Sequence, residues 1–238
     1  MKLLRHLPNA LTCANLLCGG IGVVRAMEGD LVTAGWLIGL AGVLDFLDGF
    51  VARALRVQSL IGKELDSLAD VVTFGLLPTL LIFQLIRQSQ PLHPLLPYVA
   101  FALVVCSALR LAKFNIDTRQ SDSFIGVPTP ANGILVASLP LILTYQPRFQ
   151  NLILNLWVLL GYSVVMAYLM VSELPLFALK FKSFGWQGNR LQFSFLGLSA
   201  MLLVLLNFAA IPLIVGLYIG LSVLTHFFKK RDSAKPSI

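Results

Sequence analysis

The sequence predicts an all-α bundle of about eight membrane-spanning helices, with both termini on the cytoplasmic side. Three observations predict it. Of the 238 residues, 57% are hydrophobic and 12% charged, where a soluble domain carries about 25% charged residues; the mean hydropathy is +0.83. Apolar runs recur near 8–26, 31–52, 66–87, 95–114, 127–146, 151–172, 192–209 and 211–228, most of them close to the ~20 residues a helix needs to cross hydrocarbon. With the N-terminus inside, 15 of the 18 Lys and Arg fall on inner segments, and only Arg25, Arg87 and Arg148 fall outside. That asymmetry is the positive-inside pattern.

The first run follows Lys2 and Arg5, as in a secretory leader. No small-x-small cleavage site is evident and seven runs follow, so a retained helix is expected. Residues 1–8 are expected along the membrane surface, with Pro8 turning the chain inward. The third run carries Pro78 and the fifth Pro140, both tolerable in lipid as kinks. Asn207 to Pro212 must hold the turn between the last two runs. The segments outside the runs are too short to bury a core, so no soluble domain is expected.

Cys13, Cys18 and Cys106 form no CxxC or Cys/His pattern and read as small apolar residues in the interior. His6, His93 and His226 are scattered and are assigned no metal role. The net charge of +7 is accounted for by topology and by anionic inner-leaflet lipids, so no nucleic-acid partner is expected.

The stretch LDFLDGFVARALRVQSLIGKELDSLAD, residues 44–70, breaks the apolar pattern. Asp45 and Asp48 are spaced i, i+3 at the end of the second helix, and Asp66 and Asp70 are spaced i, i+4 at the start of the third. Each pair shares a helix face. A connection containing Gly62 is expected to fold the helices together and bring four carboxylates to the membrane boundary. Pairing of Asp45 or Asp48 with Arg53 or Arg56, and macrodipole complementation by Asp66 and Asp70, are the competing roles. Uncompensated charges at this depth cost several kcal/mol. Hard oxygen ligands favour Mg²⁺, Mn²⁺ or Ca²⁺, which leave positions open for phosphate oxygens. Gly49 and Ala52 keep the Asp48 face open. Glu64, beside Lys63, reads as solvated.

Residues 45–70 read Asp-x2-Asp-Gly-x2-Ala-Arg-x8-Gly-x3-Asp-x3-Asp. This resembles the signature of the CDP-alcohol phosphotransferase family, with no departure at a fixed position. The resemblance implies a six-helix membrane core, here residues 1–182 with the active site. Residues 183–238 would then add two C-terminal helices and a basic tail. It implies a homodimer, and transfer of a substituted phosphoryl group from a CDP-alcohol to a second alcohol with release of CMP. It further implies that Asp45, Asp48, Asp66 and Asp70 hold one or two Mg²⁺ or Mn²⁺ ions, and that Asp70 is the general base. Gly49, Ala52, Arg53 and Gly62 would line the CDP pocket.

PNALTCANLLCGG at 8–20, RLAKFN at 110–115, FIGVPTPANG at 124–133 and MVSELPLFALK at 170–180 are similar to the branch of that family whose acceptor is L-serine. The resemblance implies CDP-diacylglycerol as donor and membrane lipids as surroundings; the compact chain fits a prokaryotic inner membrane, and the positive-inside pattern puts the site on its cytoplasmic side. Glycerol 3-phosphate or an inositol compound is the alternative acceptor. A divalent-cation transporter is the alternative class, disfavoured because Arg53 stands beside the aspartates. Asn9 and Thr12 are candidates to reach the CDP headgroup, with helix capping by Asn9 the competitor. Arg110 and Lys113 are candidates for the serine carboxylate or the lipid phosphate, with snorkelling anchors the competing role. Asn115 orients a substrate or caps the helix. Pro128 and Pro130 shape the start of the fifth helix around Thr129.

Overall fold

The computed structural model describes residues 6–57, 59–117, 124–176 and 189–233. In chain order the helices are α1 (Leu7–Met27), α2 (Leu31–Leu55), α3 (Leu60–Asp70), α4 (Leu77–Gln88), α5 (Phe101–Ile116), α6 (Thr129–Tyr145), α7 (Gln150–Ile153), α8 (Leu156–Val171), α9 (Arg190–Leu206) and α10 (Ala210–Ser233). Five helical stretches among the described residues are long and apolar enough to cross a membrane: Leu7–Met27, Leu31–Leu55, Leu60–Gln88, Leu96–Ile116 and Arg190–Thr225. The pair Pro147–Ile153 and Leu156–Val171, bent by 68°, makes a sixth when taken as one span. Thr129–Tyr145 is a shorter apolar helix. Arg190–Thr225 folds back on itself: the Phe195 and Tyr218 rings lie 5.9 Å apart, where a straight helix would separate them by about 35 Å. The reversal is at Asn207, which has φ 48°. There Gln146 donates to Leu206 O at 2.9 Å and accepts from Ala209 N at 3.0 Å. All eight predicted apolar runs are largely helical, the sixth being broken at Leu154 and Asn155.

The third run forms the centre of the bundle. Phe74, Leu77, Leu81, Ile82, Leu85 and Ile86 are fully buried. Around it α1 packs on α2, α2 on α6 and α5 on α8. Small residues allow the closest approaches: a Cβ on Gly35 would stand 2.7 Å from Ala137 O of α6. Large apolar residues such as Leu17, Val24, Trp36, Phe46 and Val204 face outward, as lipid contact requires. Pro140 lies inside α6 as expected. Pro78 opens α4 and follows a π-helical turn, Val71–Leu76. A proline has no N–H to donate and clashes with the carbonyl four residues back; the widened turn makes room for it.

Several expectations change. The third span begins at Leu60 rather than 66, so Gly62 lies in the first turn of α3 and not in the connection. The chain reverses over residues 56–59. Arg56 ends α2 in the left-handed region, φ 55°, and Ser59 caps α3 by accepting from Gly62 N at 3.0 Å. Cys13 is exposed rather than interior, and Cys18 and Cys106 are half-buried; all three are free thiols. Two short strands, β1 (Phe124–Ile125) and β2 (Pro175–Leu176), pair antiparallel and were not foreseen. They join the chain after α5 to the chain after α8. The surface placement of residues 1–5 and much of the 173–192 segment lie outside the described residues.

Candidate functional site

The C-terminal third of α2 and the whole of α3 build the site. Asp45 and Asp48 project from α2, Asp66 and Asp70 from α3. Asp45, Asp48 and Asp66 each offer an oxygen, and these oxygens all lie within 4.8 Å of one another. Asp70 stands one helical turn beyond Asp66, is 7% exposed, and interacts electrostatically with the other three. Asp66 Oδ1 and Asp70 Oδ1 are buried without a hydrogen-bond partner. Among the described residues, the ion pair within 4.0 Å is Arg25–Glu28, far along the chain from this cluster. The pairing of Asp45 or Asp48 with Arg53 or Arg56 is therefore not observed. A cluster of close carboxylates with unpartnered oxygens fits a hard divalent cation.

α1 supplies the wall opposite. Thr12 Oγ1 contacts Asp48 Oδ2 at 2.6 Å and Pro8 O at 3.1 Å. A polar cleft of about 500 Å³ opens beside the carboxylates, lined among others by Asn9, Thr12, Asp48, Gly49, Ala52, Gly62, Lys63 and Asp66. Five of the six residues proposed for the CDP pocket thus meet in one cleft: Asn9, Thr12, Gly49, Ala52 and Gly62. Asn9 lies inside the first turn of α1 and makes no cap, since His6 occupies the N-cap position without a side-chain bond. Gly62 sits in a crowded place: a Cβ there would stand 3.0 Å from the side-chain atoms Asn9 Oδ1 and Ser59 Oγ. Arg53 is exposed and lies over Gly49, whose added Cβ would be 3.5 Å from Arg53 Nη1. It flanks the cleft rather than lining it.

Arg110, on α5, is the positive charge that interacts with Asp70. It is 7% exposed, so it is not a snorkelling anchor. Nη1 donates to Thr129 Oγ1 at 3.4 Å, the guanidinium lies 5.9 Å from the Phe114 ring centroid, and Nε has no partner. Asp70 is within its electrostatic reach. Thr129 is fully buried, and Pro128 and Pro130 flank it at the start of α6. Lys113 is exposed. Asn115 neither caps α5 nor faces the carboxylates: its Nδ2 donates to Ser67 Oγ at 2.9 Å, and its carbonyl accepts from Lys63 Nζ at 2.9 Å. These two bonds hold α3 against the end of α5. Glu64 is exposed as expected.

Sequence reasoning passed over Lys63, counted only as a topology charge, and Asn15. Asn15 is fully buried, with neither side-chain Nδ2 nor Oδ1 partnered. The signal was present: Asn9, Thr12 and Asn15 recur every three residues on an apolar helix.

A helical bundle with apolar helices long enough to cross a membrane carries, beside a cleft, a carboxylate trio whose oxygens are the donor type that suits a hard divalent cation. The chain belongs to the CDP-alcohol phosphatidyltransferase family, whose sequence model matches residues 5–181. It is similar to the CDP-diacylglycerol–serine O-phosphatidyltransferase of Bacillus subtilis, 33% identical over 172 residues, covering 72% of this chain and 89% of that one. The Helicobacter pylori (strain J99) protein of the same name is 36% identical over 169 residues, 70% of each chain. The archaetidylserine synthase of Methanothermobacter thermautotrophicus is 31% identical over 162 residues, covering 67% of this chain and 66% of that one.

Proposed function

We propose that the protein transfers a phosphatidyl group from CDP-diacylglycerol to the hydroxyl of L-serine, giving phosphatidylserine and CMP. The observation that carries the reading is that Asp70 interacts with two different environments. One is the carboxylate trio with its polar cleft; the other is a buried arginine that makes no ion pair with it within 4.0 Å. The first suits a nucleotide diphosphate, the second a small anionic alcohol. The names of the relatives point to serine.

In this reading Asp45, Asp48 and Asp66 hold Mg²⁺ or Mn²⁺, with Asp70 at the edge of the set. The bound ion would neutralise the diphosphate and the charge on the departing CMP. Asn9, Thr12, Gly49, Ala52 and Gly62 accommodate the CDP moiety, with Arg53 and Lys63 flanking its phosphates. Asp70 takes the proton from the serine hydroxyl. The serine oxygen bonds to the phosphorus that carries the diacylglycerol. The bond from that phosphorus to the bridging oxygen breaks, and its electron pair leaves with CMP. Arg110 binds the serine carboxylate. One buried guanidinium matches one carboxylate better than a phosphate dianion, which favours serine over glycerol 3-phosphate. Lys113, exposed, serves as a membrane-surface anchor. Asn115 supports the site through Ser67.

The site faces the cytoplasm of a prokaryotic inner membrane, by the 15-to-3 distribution of Lys and Arg. Residues 1–182 carry the chemistry, and two copies pair as the family resemblance implies. The test is transfer of label from L-serine into lipid by the purified protein with CDP-diacylglycerol and Mg²⁺ or Mn²⁺. One CMP per serine incorporated is expected. Labelled lipid without CMP, or CMP without labelled lipid, overturns the reading.

A further inference from the structure

We propose that the apolar cavity between α6, the α7–α8 pair and the α9–α10 hairpin is a lipid site, taking one acyl chain of a bilayer phospholipid whose phosphate is held at Arg148. It shares no lining residue with the cleft beside the carboxylates, and it does not rest on the phosphatidyl-transfer reading.

The cavity has a volume of about 380 Å³. α6 contributes Leu135 and Ile142, the two sides of the 68° bend contribute Ile153 and Leu159, and α10 contributes Val215 and Ile219. Tyr162 brings the one hydroxyl in the lining, and that hydroxyl donates to Asn132 Oδ1 at 2.6 Å. A cavity that offers no free polar group suits neither water nor a polar ligand. Its walls are tied together at one end. Gln146, just past α6, donates to Leu206 O and accepts from Ala209 N, and both of those residues line the cavity.

The tied end lies at a membrane boundary. Phe208, in the hairpin turn, meets Trp36 at 5.8 Å and Tyr145 at 5.5 Å. Trp36 is near the start of α2, so this is the opposite end of α2 from Asp45 and Asp48. Trp36, Tyr145 and Trp157 are exposed, as in the aromatic belt of a membrane protein. From that level the cavity runs inward: Leu135 to Ile142 and Pro212 to Ile219 each cover about 10 Å of helix, within a hydrocarbon core of about 30 Å. Leu152, Val158 and Leu213 line the cavity and are also exposed, so it opens sideways onto the bilayer. Acyl chain is what stands outside a membrane helix at that depth. Arg148 stands at the boundary. It is exposed, and its guanidinium lies 4.8 Å from the ring centroid of Phe149, which lines the cavity. The ion pair found among the described residues is Arg25–Glu28, so no carboxylate within 4.0 Å takes up the Arg148 charge there. A cation at the boundary beside an apolar slot matches the phosphate and one chain of a single phospholipid molecule.

The test uses purified full-length protein, delipidated in detergent, with phosphatidylglycerol and the diacylglycerol of the same chains as probes. Native mass spectrometry counts the lipids retained, and Tm is measured with and without each probe. Two glycines of α10 have nothing within 4 Å of an added Cβ: Gly216, which lines the cavity, and Gly220, which does not. Gly216→Phe should retain one phosphatidylglycerol fewer than wild type and lose the Tm rise that the lipid gives wild type. Gly220→Phe should match wild type. Arg148→Gln, a surface change that leaves the fold alone, should weaken phosphatidylglycerol binding by about fivefold and leave diacylglycerol binding unchanged. A Gly216→Phe protein that retains as much phosphatidylglycerol as wild type overturns the site, and so does an equal loss in Gly220→Phe. Equal binding of the two probes, unaffected by Arg148→Gln, removes the phosphate contact and overturns the proposal. CMP release reads the transfer reaction separately, so none of these outcomes decides that reading.

Discussion

Thr12 Oγ1 lies 2.6 Å from Asp48 Oδ2, joining the first helix of the bundle to the carboxylate cluster on the second. The contact is buried, and it fixes one member of the trio by a group that is not itself a metal ligand. Groups of this kind orient ligands, and their loss typically costs about 10- to 100-fold in metal affinity or activity. Thr12→Val keeps the shape and removes the hydroxyl. It should raise the Mn²⁺ concentration for half-maximal CMP release by at least about tenfold. The check is a metal titration of chelator-treated protein, in which wild type should regain activity on adding Mg²⁺ or Mn²⁺.

Asp70→Asn should leave the fold and the cleft intact, because Asp70 lies outside the trio and Asn is isosteric. Turnover should fall by about 100- to 10,000-fold, the usual worth of a general base. Binding of CDP-diacylglycerol should persist, which a direct binding assay on the variant would measure.

Two glycine substitutions should separate stability from binding. In Gly35→Ala the new methyl meets a backbone oxygen at 2.7 Å, which cannot swing away. A loss of about 1–3 kcal/mol is expected, seen as a lower Tm in detergent. In Gly62→Ala the neighbours at 3.0 Å are the side chains of Asn9 and Ser59 at the cleft. Alanine favours a helix over glycine by about 1 kcal/mol, so the Tm should hold. The KM for CDP-diacylglycerol should rise by about tenfold as Asn9 is displaced.

A direct displacement requires no covalent phosphatidyl-enzyme. Of the cleft's hydroxyls, Thr12 is engaged with Asp48 and Pro8, and Ser59 caps α3. Labelled CMP should therefore not exchange into CDP-diacylglycerol in the absence of acceptor. Exchange without acceptor would require a nucleophile on the protein.

Much of this arrangement was legible in the residues. The apolar runs located the helices, and the i, i+3 and i, i+4 spacings placed the four aspartates on facing surfaces. Asn9 and Thr12 were found because polar residues at the start of an apolar helix stand out. Gly62 was misplaced because glycine reads as a breaker. Ser59 was the better signal, since its hydroxyl caps α3 and sets the helix start at Leu60, two residues before Gly62. The π turn after Asp70 has no pattern of its own; only Pro78, two residues beyond it, hinted at a disturbed ladder. Arg110 and Lys113 look alike by position, and burial alone distinguishes them. Buried Arg110 bonds to Thr129, 19 residues away along the chain. Contacts at that separation leave no local trace in composition or periodicity.

The central claim is that Asp70 works between a CDP-diacylglycerol cleft and an acceptor site made for a small carboxylate. The most direct measurement is CMP release by the purified protein in detergent–lipid micelles, with L-serine, glycerol 3-phosphate and inositol 1-phosphate offered separately. The account predicts CMP and phosphatidylserine with L-serine alone, both abolished by chelator and by Asp70→Asn. CMP release driven by glycerol 3-phosphate or inositol 1-phosphate instead of serine would contradict the assignment of Arg110 to a carboxylate. Undiminished turnover in Asp70→Asn would contradict the account of the base.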